Sequence, residues 1–246
     1  DQPSLVPNRP AGREAERAAV GVVADHPADG EAFKDLVIGD EASHAGVYDS
    51  RGMAHPVKIV LSGGPGAGKS QAVARLVSEA PERFAGVCEA ATQVYSRIGR
   101  TWDRLDLAAR REAQRVIYRL QCEQEERIAL ENPGKVLLLD RGTVDGSVYW
   151  PDGPEDYWRD LGTTREAQLA RYDAVILLET AAAIGVYDHQ RSNAVRFESL
   201  DEAVRNHART EAVWRGHPRV VRIAAMRDFE AKLAAIREAI ESLLAE

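Results

Sequence analysis

Val57-Lys58-Ile59-Val60-Leu61-Ser62-Gly63-Gly64-Pro65-Gly66-Ala67-Gly68-Lys69-Ser70 is the stretch that decides how this chain is read. Val57 to Leu61 is a short, mostly apolar run rich in β-branched residues, the pattern of a strand buried on both faces. Ser62 to Gly68 is a glycine-rich turn, and Lys69 to Glu79 carries Val73, Leu76 and Val77 on one side of a helix. Gly63 to Ser70 matches the pattern G-x-x-x-x-G-K-[ST]. Its glycines let successive backbone N–H groups turn inward around an anion, and the helix behind adds the positive end of its dipole. The motif predicts that Gly63, Gly64, Pro65, Gly66, Ala67, Gly68, Lys69, Ser70 and Gln71 hold a nucleoside triphosphate. Lys69 would reach the β- and γ-phosphates, and the Ser70 hydroxyl would ligate Mg²⁺.

Working outward, Lys135 to Asp140 is the clearest further strand: Val136-Leu137-Leu138-Leu139 ends in Asp140. An aspartate at the carboxyl end of a parallel strand sits at the edge where such sheets bind ligands. It would hold Mg²⁺ through water or accept a proton from a substrate hydroxyl. Arg141 follows directly and is placed to touch a phosphate. Phe84 to Glu89, Asp173 to Glu179 and Arg219 to Ile223 read as further strands. Asp103 to Glu131 reads as a long helical stretch broken at least once and stopped by Asn132-Pro133-Gly134. Trp150 to Gly162 reads as a loop. Thr163-x-x-Glu166 and Ser199-x-x-Glu202 are capping-box signals opening helices. Phe229, Leu233, Ile236, Ile240 and Leu243 mark an amphipathic final helix. Strands alternating with helices predict an α/β three-layer sandwich with about five mostly parallel strands.

The 246 residues suffice for one large domain with a real core. A net charge of −7 with no basic block argues against nucleic acid as the main partner. Lysine is confined to Lys34, Lys58, Lys69, Lys135 and Lys232, which makes Lys69 in the glycine-rich loop conspicuous. Cys88 and Cys122 form no CxxC pair and read as small buried hydrophobes. No apolar run is long enough for a transmembrane segment, no signal peptide is visible, and the cytoplasm is the expected compartment. Residues 1–52 lack periodicity and read either as an N-terminal extension or as a small native subdomain. The nucleotide-binding domain is expected over residues 53–246.

Other candidates carry two readings each. Glu89 ends the second strand and would hold or deprotonate an acceptor, or simply cap a helix. Arg191 and Arg196 lie in the polar segment 187–198, either a lid that closes over the phosphates or a solvated loop. Asp145, Tyr149 and Trp150 would line an acceptor pocket or anchor a loop. Gln121 and Glu125, one turn apart on one helix face, would hydrogen-bond a substrate or form a solvated helix face. His207 and His217 match no metal spacing and read as structural.

GGPGAGKS (63–70), CEAATQV (88–94), LLLDRGTVDGSVYWP (137–151), RYDAVILLETAA (171–182), NAVRFES (193–199) and VWRGHPRVV (213–221) together resemble a known family. This is the small P-loop ATPase/kinase-like group that includes the nucleotide-binding domain of the TRPL translocation defect protein. The nicotinamide riboside kinase domain of bacterial NAD regulators is a more distant relative. The resemblance runs from about Val57 to Ile240. It implies a P-loop NTPase fold of nucleoside/nucleotide-kinase type, with nucleotide bound at Gly64, Gly66, Gly68, Lys69 and Ser70.

The expected function is that of a Mg²⁺-dependent, ATP-binding phosphotransferase that moves the γ-phosphate to a small hydroxyl-bearing metabolite. Lys69, Asp140, Glu89, Arg141, Arg191 and Arg196 would be the catalytic set, with Ser70 and Asp140 on the metal. GTP in place of ATP, and a nucleotide-dependent binding module or switch with slow hydrolysis, form the alternative. No N-K-x-D sequence occurs, so the guanine-selecting motif of regulatory GTPases is missing.

Overall fold

A computed structural model describes residues 56–185 and 199–245. The N-terminal stretch 1–52 and the candidates Arg191 and Arg196 lie outside the described residues.

The strands are β1 (Lys58–Gly63), β2 (Phe84–Val87), β3 (Val136–Asp140), β4 (Ala174–Leu178) and β5 (Val220–Ile223). The helices are α1 (Lys69–Glu79), α2 (Ala90–Ile98), α3 (Leu107–Glu131), α4 (Pro154–Asp160), α5 (Arg165–Leu169), α6 (Leu200–Trp214) and α7 (Phe229–Ala245). All pairings are parallel and the strand order is β2-β3-β1-β4-β5. From the central β1 the chain runs first to β2 and β3 and then crosses to β4 and β5. The order in which strands are added switches sides at β1, and a crevice forms there at the carboxyl edge of the sheet.

Both faces of the sheet are covered because the strands alternate apolar residues on both sides. Ile59, Leu61, Leu138, Ile176 and Leu178 face α1 and α7 and pack on Val73, Leu76, Leu233, Ile236 and Ile240. Val60, Leu137, Leu139, Val175 and Leu177 face the opposite way, onto Tyr157, Trp158, Leu169 and Trp214. This period of two within a continuous apolar run is what a sheet buried on both faces requires. A third cluster joins α2 to α3 through Val94, Ala113, Val116 and Leu120.

The long helical stretch is broken once, at Leu105 and Asp106: Trp102–Arg104 is a separate 3₁₀ turn, and α3 then runs for 25 residues from the N-cap Asp106, which accepts a hydrogen bond from the Ala109 N–H. One local expectation changes. The stretch expected as a loop contains α4: Pro154 occupies its first turn, and Tyr157 and Trp158 are buried against the sheet.

Gly63 joins β1 to the glycine-rich loop with φ +133°, and a Cβ there would lie 2.1 Å from the Leu178 carbonyl oxygen. Both the conformation and the space demand glycine. Gly63→Ala is expected to destabilise the fold by about 3 kcal/mol, read as a lower midpoint in urea unfolding at an unchanged slope.

Candidate functional site

The carboxyl ends of the strands bring four segments together. The loop after β1 reaches α1 through Gly68, whose φ of +84° closes the turn. Lys69 is buried, and its Nζ donates to the carbonyls of Gly63 (3.1 Å) and Gly64 (2.9 Å). The loop is braced from behind by groups the sequence did not single out. Thr180 Oγ1 donates to the Pro65 carbonyl at 2.5 Å. Lys232 Nζ donates to the carbonyls of Ala67 (3.0 Å) and Glu179 (2.9 Å), and burial lowers its pKa. His207, read as structural, accepts the Gly64 N–H at its Nδ1 (3.3 Å) and so sits against the loop itself.

Asp140 pairs in register with Leu61, next to the loop. Its side chain is buried, and its Oδ1 has no hydrogen-bond partner. Burial raises its pKa to about 6, helped by the negative charge of Glu89 and opposed by Lys69 and by the neighbouring Ser70 hydroxyl. An unpartnered carboxylate oxygen beside a hydroxyl is a hard-oxygen pair that fits Mg²⁺. Among the described residues no group of three His, Cys, Asp or Glu side chains could hold a metal. A cation here would therefore need phosphate oxygens and water to complete its shell.

Arg141 follows Asp140 with φ +73°, a left-handed conformation rare outside glycine. This turn aims its side chain back across the sheet edge. Nε donates to Glu89 Oε1 (2.7 Å), and Nη1 donates to Asp145 Oδ1 (3.3 Å) and to the Gly63 carbonyl (3.3 Å). The guanidinium expected at a phosphate is thus engaged by two carboxylates. Glu89 is the N-cap residue of α2 and lies beyond β2, which ends at Val87. Burial would raise the Glu89 pKa, but the charges of Arg141 and Lys69, with a 2.6 Å hydrogen bond from Thr92, bring it to about 2. Asp145 also accepts the Ser62 hydroxyl at 2.5 Å and the Gly142 N–H at 3.0 Å.

Behind this turn lies a buried network that the helix pattern concealed. Glu125 is fully buried, not solvated, and accepts from Lys58 Nζ (3.1 Å), Arg171 Nη2 (2.8 Å), Tyr172 Oη (2.8 Å) and Gln121 Nε2 (3.1 Å). Gln121 also donates to the Arg141 carbonyl (3.3 Å), and Tyr172 Oη accepts the Thr143 N–H (2.7 Å). One carboxylate thereby fixes the backbone on either side of Gly142. The cysteines are less buried than expected: Cys88 is exposed and Cys122 is half-buried.

A partly open cleft of about 850 Å³, solvent mouth included, adjoins the loop. Pro65, Glu89, Arg141 and Asp145 line it, as do Tyr95, Trp102, Gln114 and Tyr149. Of the candidate pocket residues, Trp150 is not among them: it is buried and its Nε1 donates to Asp156 (2.9 Å), which makes it a loop anchor.

A parallel sheet, a phosphate loop at its centre and an aspartate on the adjoining strand define a P-loop NTPase fold. Residues 58–232 match the model of an AAA domain family, and the chain belongs to that family. It is a nucleotide-binding P-loop protein. Among curated proteins, none matches the sequence. No helix among the described residues is long and apolar enough to cross a membrane.

The raised Asp140 pKa gives a signed pH dependence. A carboxyl that binds its proton more tightly when folded favours the fold below pH 3.8, and that contribution is lost as pH rises through about 6. Asp140→Asn removes the buried charge. In chelator-containing buffer it is expected to be about 1–3 kcal/mol more stable than wild type at pH 8. The difference should vanish toward pH 3.8. Thermal melts across that range check it; an equal offset at both ends would mean the carboxylate is not the cause.

Proposed function

We propose that the chain is a Mg²⁺-dependent, ATP-binding phosphotransferase whose acceptor is a small hydroxyl-bearing molecule. The observation that carries this reading is the cleft beside the phosphate loop, with the Glu89–Arg141 pair on its wall. A module that only binds or hydrolyses nucleotide has no need of an aromatic-lined cleft beside the phosphate loop. The resemblance to the nicotinamide riboside kinase domain of NAD regulators supports the same reading.

In this mechanism the phosphate loop from Gly63 to Ser70, with Gln71, would cradle the triphosphate through its backbone amides and Lys69. Ser70 and Asp140 would hold Mg²⁺, which supplies charge neutralisation on the phosphates. The acceptor hydroxyl would lie against Glu89, oriented by its carboxylate while Arg141 keeps that carboxylate in place. The hydroxyl oxygen forms its bond to the γ-phosphorus as the bond from that phosphorus to the β–γ bridging oxygen breaks. The hydroxyl proton passes to Glu89, and ADP leaves. A carboxylate with a pKa near 2 is a weak base. That is acceptable because phosphoryl transfer has a loose transition state, in which placement and charge count for more than early deprotonation. Arg191 and Arg196, which lie outside the described residues, would neutralise charge in flight.

The test is phosphorus NMR of the full chain incubated with Mg·ATP and a pool of hydroxyl metabolites. A new phosphate ester in one-to-one proportion with ADP is the expected result. Lys69→Ala should abolish the product. Glu89→Gln should lower kcat by about 10²-fold or more with little change in the KM for ATP. Slow release of inorganic phosphate with no ester, across a broad pool, would instead favour the nucleotide-dependent switch.

A further inference from the structure

Three side chains outside the phosphate loop hold its backbone. Lys232 Nζ donates to the Ala67 carbonyl at 3.0 Å, Thr180 Oγ1 donates to the Pro65 carbonyl at 2.5 Å, and His207 Nδ1 accepts the Gly64 N–H at 3.3 Å. Of these three, His207 belongs to the residue type whose charge changes between pH 5 and 8. A ring nitrogen accepts only while it carries no proton, so this contact exists only for the neutral ring.

Close packing builds the contact in. A Cβ on Gly64 would lie 2.8 Å from the His207 Cβ and 3.1 Å from the Ala203 carbonyl oxygen, so α6 rests directly on the loop. Two turns along the same face of α6, Trp214 Nε1 donates to the Ser62 hydroxyl at 3.0 Å. One face of α6 thereby grips the residues on either side of Gly63. The Gly64 carbonyl is held separately, by Lys69 Nζ at 2.9 Å. Lys69 is the group expected at the β- and γ-phosphates, and turning to them takes its Nζ away from Gly64. The His207 contact on Gly64 does not depend on Lys69 and can persist when the loop is filled.

The charges facing the ring come from four elements. Glu211 lies one turn on along α6, Glu179 follows β4, Lys69 opens α1, and Lys232 belongs to α7. Glu211 is paired with Arg222 of β5 at 2.7 Å, and Glu179 accepts the Ala225 N–H at 2.8 Å. The 3₁₀ segment Thr143–Tyr149 also packs on α6, and its Asp145 and Tyr149 are engaged by Arg141. Lys58, on β1, is turned to Glu125. Burial is the largest influence on His207 and favours the neutral ring; the two glutamates oppose it and the two lysines assist it, which leaves the pKa below the ordinary 6.5. At pH 7.5 the ring is neutral and holds the amide.

We propose that His207 is a positioning residue of the phosphate loop: its neutral ring, by holding the Gly64 N–H, keeps the loop in the shape that receives a triphosphate, and nucleotide affinity falls as the ring takes up a proton. A proton on Nδ1 sets donor against donor at a packed contact and releases Gly64. The added charge also attracts the phosphates, but Lys69 and Lys232 already lie beside the ring, and the lost contact is direct. The inference rests on nucleotide binding by the loop and is indifferent to whether phosphate is then transferred.

The experiment uses the full chain, Mg²⁺ and a non-hydrolysable ATP analogue. NMR titration of the His207 ring in the wild type gives its pKa with and without the analogue, and saturation is expected to move it to lower pH. Calorimetry between pH 5.0 and 7.5 compares wild type with His207→Asn, whose amide oxygen can accept the Gly64 N–H at every pH. Wild type is expected to lose at least about threefold more affinity than the variant as pH falls. Asp140 and the phosphates titrate alike in both, so the ratio reports the ring. His207→Phe, which has no acceptor, should bind severalfold more weakly than His207→Asn at pH 7.5. A histidine that served the fold alone would change the thermal midpoint and leave that ratio flat. A flat ratio, or a ring pKa that is unmoved or raised by the analogue, overturns the inference while nucleotide binding stands. No binding of the analogue to folded wild type at pH 7.5 would remove the nucleotide reading and this inference with it.

Discussion

The buried guanidinium of Arg141 is the tie on which the site depends. It joins β1 through the Gly63 carbonyl, α2 through Glu89, and the segment after β3 through Asp145. Each of these groups would be costly to bury alone. Removing one member of such a set strands its partners without compensation, which is more damaging than the set is stabilising. The tie works only because the Arg141 backbone takes up a left-handed conformation, and that conformation is held from behind. Glu125 reaches it twice, by Gln121 to the Arg141 carbonyl and by Tyr172 to the Thr143 N–H. Two cations, Lys58 and Arg171, balance the buried Glu125 charge. Strain in a turn of this kind persists where the surroundings over-determine it, and such turns collect at functional sites.

The same arrangement divides the electrostatics of the sheet edge. Glu89 is pressed toward ionisation by Arg141 and Lys69, while Asp140, a short way along the same edge, is pressed toward neutrality by burial and by Glu89. Environments that push two carboxyl groups in opposite directions give them different chemical capacities. Glu89 is a fixed anion that can orient a donor. Asp140 is a carboxyl whose unpartnered oxygen gains by meeting a cation.

How much of this the sequence revealed follows from how local each signal is. The phosphate loop, its strand and its helix occupy one continuous stretch, and each needs a distinct residue pattern, so they could be read directly. Asp140 was legible because four apolar residues before a charged one mark a buried strand end. The five strands of the sheet were each announced by a short apolar run, and all appear. The Glu125 network was not legible, since its partners Lys58, Arg171 and Tyr172 lie 46 to 67 positions away. On α3 alone, Gln121 and Glu125 have the polar spacing of a solvated face. Lys232 and His207 touch the phosphate loop through backbone groups 165 and 143 positions distant, and a contact to a carbonyl or an amide imposes no pattern on the residue that makes it. Helix α4 hid behind Gly153-Pro154, a pair that signals a turn and here also opens a helix.

The central claim is that the loop from Gly63 to Ser70 holds a nucleoside triphosphate with Mg²⁺. Calorimetric titration of ATP and GTP into the full chain, with Mg²⁺ and with chelator, addresses it most directly when Lys69→Ala is measured beside wild type. The account predicts saturable, one-to-one binding that strengthens with Mg²⁺ and is lost in the variant. Binding of equal strength in wild type and Lys69→Ala, or no binding of either nucleotide to a folded wild type, would contradict it.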